Sequence, residues 1–312
     1  MSKNVPTLET INNAVAILQK GGLVAFPTET VYGLGADATN NTAVAKIFSA
    51  KGRPQFNPLI SHISSIEDAT KLGIFSKRAM EIAKYFWPGP LTLILNRTLD
   101  CPVSWLASAG LKTIALRIPD HPVANELLKR VNRPIVAPSA NRSGKISPTR
   151  PEHVLSELNG KVEVILNGGE CRVGLESTVL DMSGRKPILL RPGHVTQYEL
   201  EEKLGLIGRA NINTEIMAPG MLESHYAPDC KVRLNATSTT NNEVFLGFGK
   251  NSEHTAKNLS VEGNLSEAAA NLFQMMRELD EKGVTGIAVA PIPEHGLGIA
   301  INDRLKRAAA SR

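Results

Sequence analysis

A series of short β-type apolar runs, broken irregularly by helical patterns, constrains this chain more than any other feature. The runs Leu23 to Phe26, Leu91 to Leu95, Thr113 to Ile118, Pro134 to Ala137, Val162 to Leu166, Ser177 to Asp181 and Ile188 to Leu190 have strand length, and turn-forming residues separate them. Helical spacing appears at Ser76 to Phe86 and Val123 to Val131. It also appears at Thr7 to Lys20, where Ile11, Val15 and Leu18 share a face and Gly21-Gly22 supply a stop. Strands and helices in this order predict an α/β or α+β sheet domain over residues 1–194, and not a strict βαβ repeat.

A helix is expected at Gln197 to Leu204. The segment Gly208 to Asp229, with Pro219, Gly220 and Pro228 and no clean period, then reads as a linker, giving 195–230 as a connecting unit. Strand patterns at Val244 to Phe248 and Val284 to Ala290, with helical ones at Ser266 to Lys282 and Ile299 to Ala310, predict a smaller α/β domain over 231–312. A chain of 312 residues accommodates two such cores. No apolar run has the length of a bilayer-spanning helix, and MSKNVPTLETINN lacks a secretory pattern, so a cytoplasmic protein with no membrane partner is expected. Cys101, Cys171 and Cys230 stand singly and the histidines show no HExxH, so no protein-held metal is expected. The formal charge of +5 favours polyanions, nucleotide and RNA alike.

Four segments combine Pro or Gly with polar groups beside strands, where ligand-binding loops are usually found: FPTETVYGLG, KGRPQFNPL, APSANRSG and GLESTVL. The first presents Thr28, Glu29, Thr30 and Tyr32. Its Gly33, Gly35 and Ala38 imitate a dinucleotide fingerprint but lack the acidic residue some 20 positions on, which excludes that reading. In the second, Lys51 and Arg53 flank Gly52 on what reads as a loop and suit a triphosphate, although such pairs also occur on solvated surfaces. From Leu127 to Arg150 the basic residues Lys129, Arg130, Arg133, Arg142, Lys145 and Arg150 occur without an acidic one, around Ser139, Asn141, Ser143 and Ser147. Small polar groups backed by cations make an anion cradle without a P-loop. Arg117 in TIALRIP fits either a substrate carboxylate or a structural ion pair, and His62 either a substrate hydroxyl or a satisfied core position. Ser177 and Thr178 read equally as strand hydroxyls.

PTETVYGLG, KGRP followed by NPL, TIALRIPDHP, APSANRSG, GLESTVLD and LLRPG together resemble, in order and spacing, the L-threonylcarbamoyladenylate synthase family with its YrdC-type domain. HYAP and the closing GLGIAINDRLKRAA resemble its longer members, which add a small Rossmann-like domain. The resemblance implies a YrdC-like twisted mixed sheet and a reaction of L-threonine, bicarbonate or CO2 and ATP, with Mg²⁺, giving threonylcarbamoyl-AMP and pyrophosphate for tRNA modification. Matched motif by motif, it implies Lys51, Arg53, Ser139 and Asn141 as a phosphate-binding tetrad, with Lys51 and Arg53 catalytic. ATP would further meet Asn57, Thr113, Ser147 and Arg191. Threonine would meet Thr30, His62, Arg117, Ser177 and the backbone at Ala137. The linker would act as a flap carrying His225 and Tyr226, and the product would pass to the tRNA-threonylcarbamoyl transferase machinery. Two other readings stay open at this stage: weak tRNA or duplex RNA binding, and carbamoyl transfer to a protein as in hydrogenase-maturation relatives.

Overall fold

The computed structural model describes residues 7–210, 217, 219–221, 224–240, 242–250, 255–280 and 284–311. Much of the expected linker (211–216, 218, 222 and 223) and the end of the helix expected at Ser266 to Lys282 lie outside them.

Alternation along the strands builds the first domain. Its sheet runs, edge to edge, through Gly208–Arg209, Ile188–Arg191, Thr178–Asp181, Leu91–Arg97, Thr113–Arg117, Ile60–His62, Ile135–Val136, Gly33–Asp37, Val24–Phe26 and Val164–Ile165, with Gly73–Ile74 beside Leu91–Arg97. Parallel and antiparallel pairs mix within it. Leu91, Leu93, Leu95, Leu116, Val136 and Leu180 face one core with the helices Asn41–Lys51 and Lys77–Phe86. Val24, Phe26 and Ile135 turn the other way, against the helices Leu8–Gln19 and Pro122–Val131. Helix ends follow local chemistry. The Thr7 hydroxyl accepts from the Thr10 N–H to start the first helix, and Asn132, at φ 53, ends the helix that Pro122 opens.

Part of that second face carries no helix. There Ile60, Ile94, Ala115, Val179 and Leu190 pack with Ala210, Met217 and Met221, so the described residues of the connecting segment cover this part of the sheet. Period two puts His62, Thr92, Arg117 and Ser177 on the same side as these apolar residues. Arg191 reaches it differently. The register shifts between Leu189 and Arg191, and this irregularity re-aims the strand end so that Leu190 and Arg191 both serve one face.

The second domain is a four-stranded parallel sheet ordered Lys231–Arg233, Gly286–Val289, Glu243–Gly247 and Lys257–Asn258, with the helices Leu265–Leu279 and Gly298–Ala309. Its apolar cluster includes Val31, Ile146 and Leu175 from the first domain, so the two domains share buried apolar surface. Contact is close at Gly174: at φ +72, a Cβ there would lie 2.5 Å from the Ala270 Cα. Only glycine lets the loop rest on the helix Leu265–Leu279.

The expected elements recur within a few residues, and several unexpected ones join them. Gly33–Asp37, read as part of a glycine-rich loop, is a strand. Gly208–Arg209, read as linker, pairs in parallel with Ile188–Arg191. Lys51 is not on a loop but is the last residue of the helix Asn41–Lys51, which Gly52 ends in the left-handed region at φ 61.

Candidate active site

A cleft of about 520 Å³, its open mouth included, lies between the part of the sheet that carries no helix and the connecting segment. Thr28, Thr30, His62, Arg117, Ala137 and Ser177 line it together with Arg53, Ser139, Arg191, His225 and Tyr226. Residues spread over nearly the whole chain therefore meet in one place.

Arg117 anchors one end. Its Nη2 lies 2.7 Å from Glu29 Oε1 and donates to Thr30 Oγ1 at 3.0 Å, while Nε donates to the Gly89 carbonyl at 3.3 Å. The sequence left ion pair and ligand contact as alternatives; the geometry shows the ion pair with Glu29, and Arg117 also lines the cleft. Beside it the Thr28 hydroxyl bonds to the Val31 carbonyl at 2.6 Å and pairs with the Thr30 hydroxyl at 2.8 Å, fixing the turn that Pro27 starts. Among the described residues His62 Nδ1 has no hydrogen-bond partner although buried, and burial together with the Arg117 cation lowers its pKa to about 3. A neutral imidazole with an unused nitrogen suits a hydroxyl ligand. Ser177 Oγ pairs with the Thr92 hydroxyl at 2.8 Å and accepts from Arg191 Nη2 at 3.1 Å.

Cations crowd the other end. Arg53 is held by the Asn57 and Pro58 carbonyls at 3.3 and 3.1 Å, and Arg191 by the Ser177 and Pro219 carbonyls. Among the described residues neither forms a salt bridge. Burial lowers the Arg53 pKa to about 10, still cationic at neutral pH, and burial and neighbouring guanidinium groups lower that of Arg191. Lys51 lies beneath the APSANRSG loop and does not line the cleft. Its ammonium donates to the Ser139 and Asn141 carbonyls at 2.5 Å each, and burial and Arg53 push its pKa well down. Asn141 likewise braces the loop, its amide donating to the Arg142 and Lys145 carbonyls.

Other expected residues stand further back. Ser147 is fully buried and donates to Glu176, Asn57 lends its carbonyl to Arg53, and Thr113 pairs with Asn96 at the start of its strand, outside the cleft lining. Tyr32 turns into the core with its hydroxyl on the Gly169 carbonyl, and the Thr178 hydroxyl bonds to the Val195 carbonyl. The basic stretch needs correction as backing for the cradle. Arg130, Arg133, Arg142, Lys145 and Arg150 pair with Glu126, Asp37, Glu157, Asp229 and Glu170. The guanidinium groups in the cleft lining that, among the described residues, lack a salt bridge are instead Arg53 and Arg191. Glu176, Pro219 and Gly220 also line the cleft and were not singled out in the sequence. Gly220 is required, since a Cβ there would meet the Tyr226 hydroxyl at 2.7 Å and Arg191 Cδ at 2.9 Å.

These buried neutral imidazoles have a pH consequence. Burial also lowers the pKa of His153 to about 4, and burial and surrounding cations lower that of His225 well below 6.5. The unfolded chain then binds more protons than the folded one just below pH 6.5, so stability is full above that pH and is lost on acidification. The thermal midpoint should fall steadily from pH 7 to pH 5, at about 1.4 kcal/mol per pH unit for each group fully within its window. His62→Gln should flatten the slope; identical slopes in the two proteins would remove His62 from the account.

A cleft lined by the Arg53, Arg117 and Arg191 guanidinium groups, on a mixed sheet backed by a second α/β domain, has the form of an enzyme site for anionic substrates. Residues 16–193 match the Sua5_yciO_yrdC family, whose description is Telomere recombination, and residues 195–310 match the family Threonylcarbamoyl-AMP synthase, C-terminal domain. The chain is 41% identical to the threonylcarbamoyl-AMP synthase of Bacillus subtilis, over 97% of this chain and 93% of that one. It is 40% identical to that of Pyrococcus abyssi, over 97% and 94%. The crystal structure of P. abyssi Sua5 complexed with L-threonine superposes with a TM-score of 0.87 at 39% identity, covering 96% of this chain and 94% of that one. The chain belongs to the threonylcarbamoyl-AMP synthase family. It is a nucleotidyltransferase that makes threonylcarbamoyl-AMP for the threonylcarbamoyladenosine modification of tRNA.

Proposed function

We propose that the cleft binds L-threonine at the Arg117 end and the triphosphate of ATP at the Arg53 and Arg191 end, and joins them through bicarbonate or CO2. One observation carries this reading: Arg53 and Arg191 are buried in the lining of one cavity and, among the described residues, form no salt bridge. Uncompensated buried cations are costly, and a polyphosphate offsets that cost.

The threonine amine first adds to CO2 with loss of a proton, or to bicarbonate with loss of water, to give a carbamate. A carbamate oxygen then attacks the α-phosphate, and the bond to the β-phosphate breaks to release pyrophosphate. Both partners are anionic, so the chain's work is alignment and charge neutralisation. Arg117 holds the threonine carboxylate, Thr30 and the Ala137 backbone flank it, and the unused His62 nitrogen and Ser177 face its hydroxyl. Arg53 and Arg191 receive the phosphates, Ser139 contributes its hydroxyl, and Lys51 and Asn141 keep that loop in place. Thr113, Asn57 and Ser147 are kept as further nucleotide positions on the resemblance. His225 and Tyr226 close the cleft from the connecting segment and keep water from the carbamate.

Mg²⁺ enters with ATP, on the nucleotide's own oxygens. Among the described residues no cluster of His, Cys, Asp and Glu side chains could hold a metal, and the lining carboxylate, Glu176, is already bonded to Ser147 and Arg304. Substrates and product place the enzyme in the cytoplasm, upstream of a tRNA-threonylcarbamoyl transferase. Among the described residues no helix is long and apolar enough to cross a membrane. The test incubates the protein with MgATP, bicarbonate and single amino acids and identifies the adenylate by mass spectrometry. Threonine should give product well above serine or valine, and pyrophosphate release independent of threonine would overturn the reading.

A further inference from the structure

The helix Gly298–Ala309 sends one side chain out of the second domain into the first. Arg304 has no exposed surface. Its Nε donates to Glu176 Oε2 at 2.9 Å and its Nη1 to the Pro192 carbonyl at 2.9 Å, with Asp303 also on Nη1 at 2.7 Å. The guanidinium carbon stands 5.3 Å from the Tyr226 ring centroid. Glu176 carries the connection onward, because its other oxygen accepts from the Ser147 hydroxyl and its side chain lines the cleft.

Each of these partners adjoins a site residue. Pro192 follows Arg191, Glu176 precedes Ser177, and the two loops touch tightly: a Cβ on Gly193 would lie 2.4 Å from the Thr178 nitrogen. The next turn of the same helix accepts the His225 N–H on the Arg307 carbonyl. One guanidinium thus fastens the two loops that deliver Arg191 and Ser177.

We infer that Arg304 of the second domain is a positioning residue for the nucleotide end of the cleft, acting through Glu176 and the Pro192 carbonyl. The inference rests on the ATP reading above. Its physical content is competition for charge. While Arg304 occupies Glu176, Arg191 keeps its charge for an anionic ligand. Without Arg304 the carboxylate is left unpaired beside Arg191, neutralises it, and releases Ser147 from its position. The second domain therefore completes the site, a role that a tethered neighbour would not have.

Steady-state kinetics and calorimetric titration with MgATP test this on the full chain. Arg304→Gln should raise the ATP KM about tenfold, within the coupling range of adjoining charged groups, and the threonine KM much less. Adding Glu176→Gln to that variant should recover most of the lost ATP affinity, because the competing charge is gone, and Arg304→Lys should fall between. A merely structural role predicts instead that both KM values move together and that the double variant is the worst. That outcome, or a folded Arg304→Gln with the parent ATP KM, overturns the inference. Should Arg304→Gln fail to fold, the double variant decides, since it leaves no unpaired buried charge: folded without ATP binding, it refutes the role. No ATP binding by the parent protein would instead remove the ATP reading and the role of Arg304 with it.

Discussion

Arg117→Ala is expected to abolish useful threonine turnover and to loosen the fold at the same time. Arg117 and Glu29 form a buried pair at 2.7 Å, with side chains 4% and 0% exposed. Removing the cation strands a carboxylate in the interior at a cost of about 3–5 kcal/mol. It also removes the proposed partner of the threonine carboxylate, worth about 2–5 kcal/mol for a buried charged contact, or more than about thirtyfold in affinity. The two losses can be separated. Arg117→Met combined with Glu29→Gln leaves no stranded charge, so its melting temperature should return most of the way while threonine binding stays lost. A threonine titration unchanged in the folded double variant would dismiss Arg117 as the anchor.

Arg53→Ala should show the opposite relation between stability and function. Arg53 has carbonyl partners and a cationic neighbour but, among the described residues, no carboxylate partner, so its loss relieves repulsion with Arg191 and should leave the melting temperature of the empty protein unchanged or slightly higher. The ATP KM should nevertheless rise by about a hundredfold, the scale of a lost charge-assisted contact to phosphate. Ligand-induced stabilisation reads both at once. MgATP should raise the parent's thermal midpoint by mass action and leave that of the variant where it was. A midpoint shift of equal size in both proteins would rule out Arg53 as a phosphate ligand.

How much of this could be read from the sequence follows from how local each signal is. Helices opened by Thr7 or Pro122, and strands such as Leu91–Arg97, carry their pattern within a few residues and were legible. Ile60–His62 was not: three residues with two polar side chains and Pro58 just before them show no apolar run, and only the flanking strands Thr113–Arg117 and Ile135–Val136 make them a strand. Arg117, His62 and Arg53 stood out because a charged or titratable residue in such a neighbourhood needs a partner. Arg191 did not, since its aim depends on a register shift next to it. The basic residues after Leu127 misled because their carboxylate partners come from Asp37, Glu157, Glu170 and Asp229, positions that no composition window holds together. Glu176 and Arg304 escaped for the same reason, being 128 positions apart.

The interior that runs unbroken from Leu272 and Phe273 to Val31, Ile146 and Leu175 has a thermodynamic meaning. Severing the protein near residue 230 would not yield two autonomous halves, because each would expose the apolar surface that the other now shields. Heat or denaturant then acts on a single cooperative unit, and damage far out in the second sheet is felt as a lower population of competent cleft.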